Sequence, residues 1–177
     1  MSKLKIAIQK SGRLSENSLN LLKECGIKFP NGGGKLITES TNFPIEILFL
    51  RDDDIPQYVE QKVADIGIIG ENVFVESAKQ IDIIENLGFS SCRLSLAVPK
   101  EIEYSDLSYF NGKKVATSYP VILENYFQQN NIKAIIDHVP IKKVCKSVRF
   151  LFENCIRVAV LIKAHLEQLL ANIVQPA

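Results

Sequence analysis

Asp65-Ile66-Gly67-Ile68-Ile69-Gly70-Glu71-Asn72 is a short apolar run that ends at a glycine turn. Its length and flanks read as a buried strand over 65–69, with Gly70-Glu71-Asn72 opening a helix. Gly70 would let a ligand approach the backbone, with Glu71 at the helix mouth. The same design recurs outward from it. On the N-terminal side, 4–8 is a β-type run, and a loop, Gln9-Lys10-Ser11-Gly12-Arg13-Leu14, follows. Ser15 is placed to cap a helix with Leu19, Leu22 and Cys25 on one face, and Gly26 to stop it. After the flexible turn Asn31-Gly32-Gly33-Gly34, strands are expected at 35–38 and 45–50, and Asp54-Ile55-Pro56 starts a helix to about 62. On the C-terminal side, 81–87, 92–98, 113–117 and 132–136 read as strands. A helix over 119–130 carries Leu123, Tyr126 and Phe127 on its inner side. Strands alternating with helices give an α/β architecture, and Pro99 with the stretch 101–111 reads as a crossing between two lobes.

The chain has 177 residues, 46% hydrophobic and 23% charged, which suits one large domain or two small lobes and excludes wholesale disorder. A net charge of +1 argues against a dedicated nucleic-acid binder. Cys25, Cys92, Cys145 and Cys155 show no C-x-x-C spacing, so no zinc ribbon or redox motif is indicated; buried thiols in a reducing compartment are expected. Met1-Ser2-Lys3-Leu4-Lys5-Ile6 lacks the apolar core of a signal peptide, and no run is long enough to span a membrane. The expected location is cytoplasmic.

Several loops carry charge suited to chemistry. Lys10 and Arg13 sit between a strand and a helix, where open α/β sheets bind ligands, and two cations around a glycine suit a phosphate. A solvated loop is the plainer reading. Arg51-Asp52-Asp53-Asp54 follows another strand. Three adjacent carboxylates repel, so Arg51, a helix N-terminus or a metal-bound phosphate substrate should compensate; a capped surface turn is the alternative. Thr117-Ser118-Tyr119-Pro120 repeats strand, hydroxyl-rich turn and helix, a pattern that binds anions or simply caps the helix. His138 and His165 lack metal-ligand spacing, and nothing resembles a nucleophile elbow.

In order, five segments resemble the ATP phosphoribosyltransferase family of histidine biosynthesis. They are Gln9-Lys10-Ser11-Gly12-Arg13-Leu14, Arg51-Asp52-Asp53-Asp54-Ile55-Pro56, Ala64 to Asn72, Cys92-Arg93-Leu94-Ser95-Leu96-Ala97 and Gly112 to Pro120. The first two look like the long, self-sufficient branch. The resemblance implies a two-lobed core of periplasmic-binding-protein type, with the active site between the lobes. The first lobe is expected over 1–98 and the second from 99 to 138. It implies that ATP and phosphoribosyl pyrophosphate are joined: adenine N1 attacks ribose C1, and pyrophosphate leaves with Mg²⁺ neutralising it. Positioning and electrostatics suffice, and no residue is assigned as catalytic acid, base or nucleophile. Lys10, Arg13 and Arg93 would contact phosphates or ribose. Arg51 would join the substrate-binding set. Asp53, Glu71 and Ser95 would contact nucleotide or the waters of an ordered metal, and Ser118 and Tyr119 would form the second-lobe wall. An intact member would be a homo-oligomer.

The resemblance runs from about Leu4 to about His138 and then stops. All nine glycines lie at or before Gly112, and 139–177 holds six lysines and arginines against two glutamates, a net +4 (six minus two). Nothing in it matches the family's phosphate loop, acidic-x-Val-Ser-x-Gly-x-Thr-Leu, which glycine-free backbone cannot reproduce cheaply. The second lobe and the strands returning to the first are therefore expected to be incomplete, no histidine-binding regulatory domain is recognised, and the reading of this chain as an active enzyme rests on the resemblance alone. A non-catalytic nucleotide-binding or partner-binding remnant of the fold is the alternative. The segment could form a helix over 163–173. It reads either as a divergent basic tail packed on the second lobe or as the product of a shifted reading frame. Val158-Ala159-Val160-Leu161, read one base earlier, can encode Gly-Ser-Gly-Thr. The gene decides: on the shifted-frame reading, one of the other two frames after the codon for His138 encodes a glycine-containing phosphate loop followed by more strands. If neither does, the segment is a tail in its own right.

Overall fold

β1 (Leu4–Gln9) is the strand around which this computed structural model is built. The structure describes residues 3–30, 36–99 and 101–139, and the backbone of three further strands at 148–150, 154–156 and 159–163. After β1 come α1 (Arg13–Glu24), β2 (Ile37–Glu39), β3 (Ile45–Leu50), α2 (Ile55–Glu60), β4 (Ile66–Gly70), α3 (Glu71–Ser77) and β5 (Asp82–Asn86). They are followed by β6 (Cys92–Leu94), β7 (Ala97–Pro99), β8 (Lys114–Thr117), α4 (Pro120–Gln129), β9 (Ile135–His138), β10 (Val148–Phe150), β11 (Asn154–Ile156) and β12 (Ala159–Lys163). Contacts divide the chain between Ser91 and Cys92 into two units, the first regaining β12 and the second holding β6 to β11.

The first unit is a six-stranded sheet in the order β2-β3-β1-β4-β12-β5. β1 pairs in parallel with β3 and with β4. A parallel strand flanked on both sides must be apolar on both faces, and Ile6, Ala7 and Ile8 are buried to 3%, 0% and 0% exposure. Side chains alternate across a strand, so one sheet feeds two cores. Ile6, Ile8, Ile47 and Ile68 pack with Leu22 of α1 and Ile27 on one face. Ala7, Leu48 and Ile69 pack with Ile55 and Val59 of α2 and Val73 of α3 on the other. Glu60, at the end of α2, accepts hydrogen bonds from Lys79 Nζ at 2.9 Å and the Gln80 N–H at 3.2 Å, which fastens the chain before β5.

In the second unit β8 and β9 pair in parallel, joined through α4, while β7 pairs with β10 and β6 with β11, both antiparallel. Its core gathers Val98, Phe110, Leu123 and Phe127, with Tyr126 packed against them. The inner side expected for this helix is thus the observed one.

The structure departs from the sequence reading in several places. The helix expected to be capped by Ser15 begins at Arg13, because Gly12 serves as its N-cap at φ 96°, a conformation that favours glycine, and Ser15 is buried in the first turn. Cys25 and Cys92 are exposed rather than buried, while the side chains of Cys145 and Cys155 lie outside the described residues. The single strand expected over 92–98 is two, β6 and β7, broken at Ser95-Leu96. The division of the chain falls before Cys92 rather than at Pro99. Where no returning strand was recognisable, β12 runs antiparallel between β4 and β5. The helix expected over 163–173 lies outside the described residues.

Ile47 is fully buried, whereas Ile37 on β2 is 50% exposed. Ile47→Ala should lower the unfolding free energy by about 2–5 kcal/mol, and Ile37→Ala should change it by no more than about 0.5 kcal/mol, read by urea titration.

Candidate functional site

The carboxyl ends of β1, β3 and β4 lie side by side. Gln9 pairs with Leu50, and Ile8 with Ile68, two residues before Gly70. The loop after β1 leads to α1 on one face of the sheet, while those after β3 and β4 lead to α2 and α3 on the other. Adjacent loops that leave in opposite directions open a crevice at the strand ends, the place where α/β sheets hold ligands. Lys10 and Arg13 sit on the first loop, Arg51 to Asp54 on the second, and Gly70-Glu71 on the third. The Lys10 N–H donates to the Leu50 carbonyl at 2.8 Å, tying the first loop to the second.

Of these side chains, Lys10, Arg13, Arg51 and Asp53 are exposed, and Glu71 is half-buried. Asp52–Asp54 forms a single 3-10 turn before α2, and Asp54 makes no side-chain capping bond there. The Asp54 N–H instead donates to the Arg51 carbonyl at 3.1 Å. Partial loss of water around the Asp53 carboxyl, then the charge of Asp52, raises its pKa above 3.8; Arg51 opposes the rise and Asp54 adds to it. Among the described residues, no three acidic, histidine or cysteine side chains gather into a group able to hold a metal ion. A Mg²⁺ that arrives on a polyphosphate needs only one or two carboxylates, and the Asp52–Asp54 turn offers that donor chemistry.

Arg93, Ser95, Ser118 and Tyr119 belong to the second unit. Arg93 is exposed on β6, and Ser95 lies half-buried in the break before β7. The turn after β8 is stitched by its own hydroxyls. Ser118 Oγ donates to the Val139 carbonyl at 2.8 Å, and the Tyr119 N–H donates to Thr117 Oγ1 at 3.0 Å. The Val139 N–H donates to the Thr117 carbonyl at 2.8 Å. This turn is therefore locked to the end of β9, and α4 carries no side-chain cap. The structure thus brings Lys10, Arg13, Arg51, Asp53 and Glu71 to one row of strand ends and places the other four in the second unit. Two residues that the sequence reading named only within their motifs, without a role of their own, also stand at these turns: Thr117, whose hydroxyl takes the Tyr119 amide, and Asn72, a buried polar residue in the first turn of α3. Thr117 ends β8 and Asn72 stands two residues past the end of β4, and that nearness to a strand end is the signal that could have marked them.

Asp53 has a pKa raised by the fold, so its ionisation costs the folded state. The penalty is absent below the unfolded value of 3.8 and complete above the raised folded value. Asp53→Asn should therefore raise the melting temperature relative to the unaltered chain at neutral pH, and the gain should vanish as pH falls through that window. A gain that is independent of pH would show that charge is not the cause.

A family model described as ATP phosphoribosyltransferase matches residues 51–145. The ATP phosphoribosyltransferase of Cytophaga hutchinsonii is 59% identical over 136 residues, 77% of this chain and 48% of that protein. That of Bacteroides thetaiotaomicron is 58% identical over 133 residues, 75% of this chain and 47% of that protein. The chain spans about half the length of the curated relatives it matches. Among solved structures, the ATP phosphoribosyl transferase (HisG:HisZ) complex from Thermotoga maritima matches with a TM-score of 0.67 at 22% identity, covering 90% of this chain and 87% of that one. The alkanesulfonate-binding protein SsuA from Xanthomonas axonopodis pv. citri shares the fold with a TM-score of 0.57 at 9% identity, covering 97% of this chain and 68% of that one. On the family match and these relatives, the expected α/β fold of periplasmic-binding-protein type stands, and the chain belongs to the ATP phosphoribosyltransferase family.

Proposed function

We propose that this chain carries the nucleotide-binding part of an ATP phosphoribosyltransferase, which condenses ATP with phosphoribosyl pyrophosphate in the first step of histidine biosynthesis. One observation carries the reading: cations and carboxylates stand on three adjacent strand-end loops whose exits diverge across the sheet. Attack of adenine N1 on the ribose carbon with loss of pyrophosphate requires alignment and charge neutralisation rather than a covalent protein intermediate. Lys10, Arg13 and Arg51 supply fixed positive charge for phosphates, and Arg93 supplies more in the second unit. Glu71 and Ser95 meet nucleotide. Asp53, with Asp52 beside it, would hold the waters of a Mg²⁺, which neutralises the departing pyrophosphate when bound. Ser118 and Tyr119, on a turn held rigid by Thr117 and Val139, form a wall for the substrate. The chain works in the cytoplasm as part of an oligomer.

A second reading, a binding remnant without turnover, is favoured by one feature: residues 139–177 contain no glycine from which to build a phosphate cradle. Each lost charge-assisted bond to a phosphate forfeits about 1.5–3 kcal/mol.

Calorimetry with ATP and with AMP tests the shared part of both readings. The unaltered chain should bind, and Arg13→Ala and Glu71→Ala should each weaken binding about tenfold, equivalent to about 1.4 kcal/mol. Unchanged affinity in both variants would reject this placement of the nucleotide. A turnover assay with ATP and phosphoribosyl pyrophosphate then separates enzyme from remnant.

A further inference from the structure

Gly70 closes β4 and stands at the N-cap of α3 with φ −76° and ψ 141°. Any residue adopts that backbone, so the conformational freedom of glycine does not explain why the position lacks a side chain. Space does. A Cβ added at Gly70 would collide with Oδ1 of Asn72 and come within 3.6 Å of its Cγ. The Asn72 amide thus fills the room that a side chain at Gly70 would take. Asn72 is 9% exposed and, with Ser15 and Ser18, one of three buried polar residues among the described residues. Ser18 Oγ donates to the Leu14 carbonyl within its own helix, whereas Asn72 turns back on the strand end that precedes it. Between the two partners in sequence lies Glu71, the half-buried first residue of α3.

We propose that Asn72 is a positioning residue: its amide, seated on the Cα of Gly70, fixes the Gly70-Glu71-Asn72 turn and so aims the Glu71 carboxylate at bound nucleotide. This rests on the nucleotide-binding reading above. The physical basis is that a ligating group is only as well placed as the shell that holds it, and displacement by about 1 Å can cost up to about a hundredfold in function. Gly70 and Asn72 act as a pair, the first giving up its side chain so that the second can lie flat.

Three full-chain variants test it: Asn72→Ala, Gly70→Ala, and the two combined. Each is measured for ATP affinity by calorimetry and for melting temperature. Asn72→Ala should weaken ATP binding about tenfold or more. Gly70→Ala leaves an allowed backbone but pushes the amide aside, so both affinity and melting temperature should fall. In the double variant the collision is gone. Its melting temperature should recover relative to Gly70→Ala, while its affinity stays about tenfold down. A residue that only fills space would make affinity follow stability, so a double variant that regains both would overturn the proposal, as would an Asn72→Ala chain that binds ATP normally. If the unaltered chain itself binds no ATP, the nucleotide-binding reading fails and this inference falls with it. Binding by the unaltered chain with unimpaired variants removes the inference alone.

Discussion

The burial of β1 on both faces is the constraint on which the first unit depends. Ile6, Ala7 and Ile8 leave almost no surface to water, and that is possible only if strands lie on both sides and helices cover both faces. The parallel partners β3 and β4 meet the first demand, and α1 opposite α2 and α3 meets the second. The alternation of side chains then does the sorting. Ile6 and Ile8 look toward α1, and Ala7 looks toward α2 and α3, so a shift of pairing by one residue would send every one of them to the wrong core. The register of this sheet is fixed by burial, and the positions of the strand ends follow from the register.

That placement explains how so much charge is tolerated in one row. Three consecutive aspartates would be expensive in a core, where the penalty for burying a charge exceeds what one neighbouring arginine returns. At a strand end, water and salt screen the repulsion between exposed groups, and Arg51 offsets part of what remains for Asp53. The raised pKa of Asp53 is the residue of that balance: the site keeps a carboxylate somewhat discontented, and a cation or a donor-rich ligand would relieve it. The polar end of the sheet is thus the place where the core's demands are weakest and a ligand's contribution counts most.

Much of this was legible in the sequence because it depends on local pattern. Ile66 to Gly70 with its glycine turn, Pro56 early in a helix, and Leu123 with Phe127 at helical spacing all declare their elements through nearest neighbours. The five charged candidates of the first unit were legible for the same reason, since each follows an apolar run. What was not legible depended on distant partners or on individual backbone angles. The start of α1 turned on Gly12 at φ 96° rather than on Ser15, which reads as a better cap. The break at Ser95-Leu96 falls where β6 and β7 take different partners, β11 and β10. Asn72 looked like any polar residue after a strand until its amide was seen folded over Gly70.

β12 meets one of two requirements that ask very different things of a sequence. Its sequence, Ala159-Val160-Leu161-Ile162-Lys163, is apolar without alternation up to its final lysine, a pattern shared by buried strands and buried helices, so only its partners could decide the matter. The gap between β4 and β5 asks for an extended backbone whose N–H and C=O groups meet theirs, and an antiparallel run from Gly70 to Ile66 on one side and from Asn86 to Asp82 on the other supplies it. A sheet is undemanding in this respect, because many apolar sequences can complete it. A phosphate cradle is demanding, because it needs successive backbone N–H groups turned toward one point, a conformation that favours glycine. A segment without glycine can therefore complete the sheet without supplying the cradle. This chain completes the sheet through β12, and residues 139–177 hold no glycine from which a cradle of that kind is built.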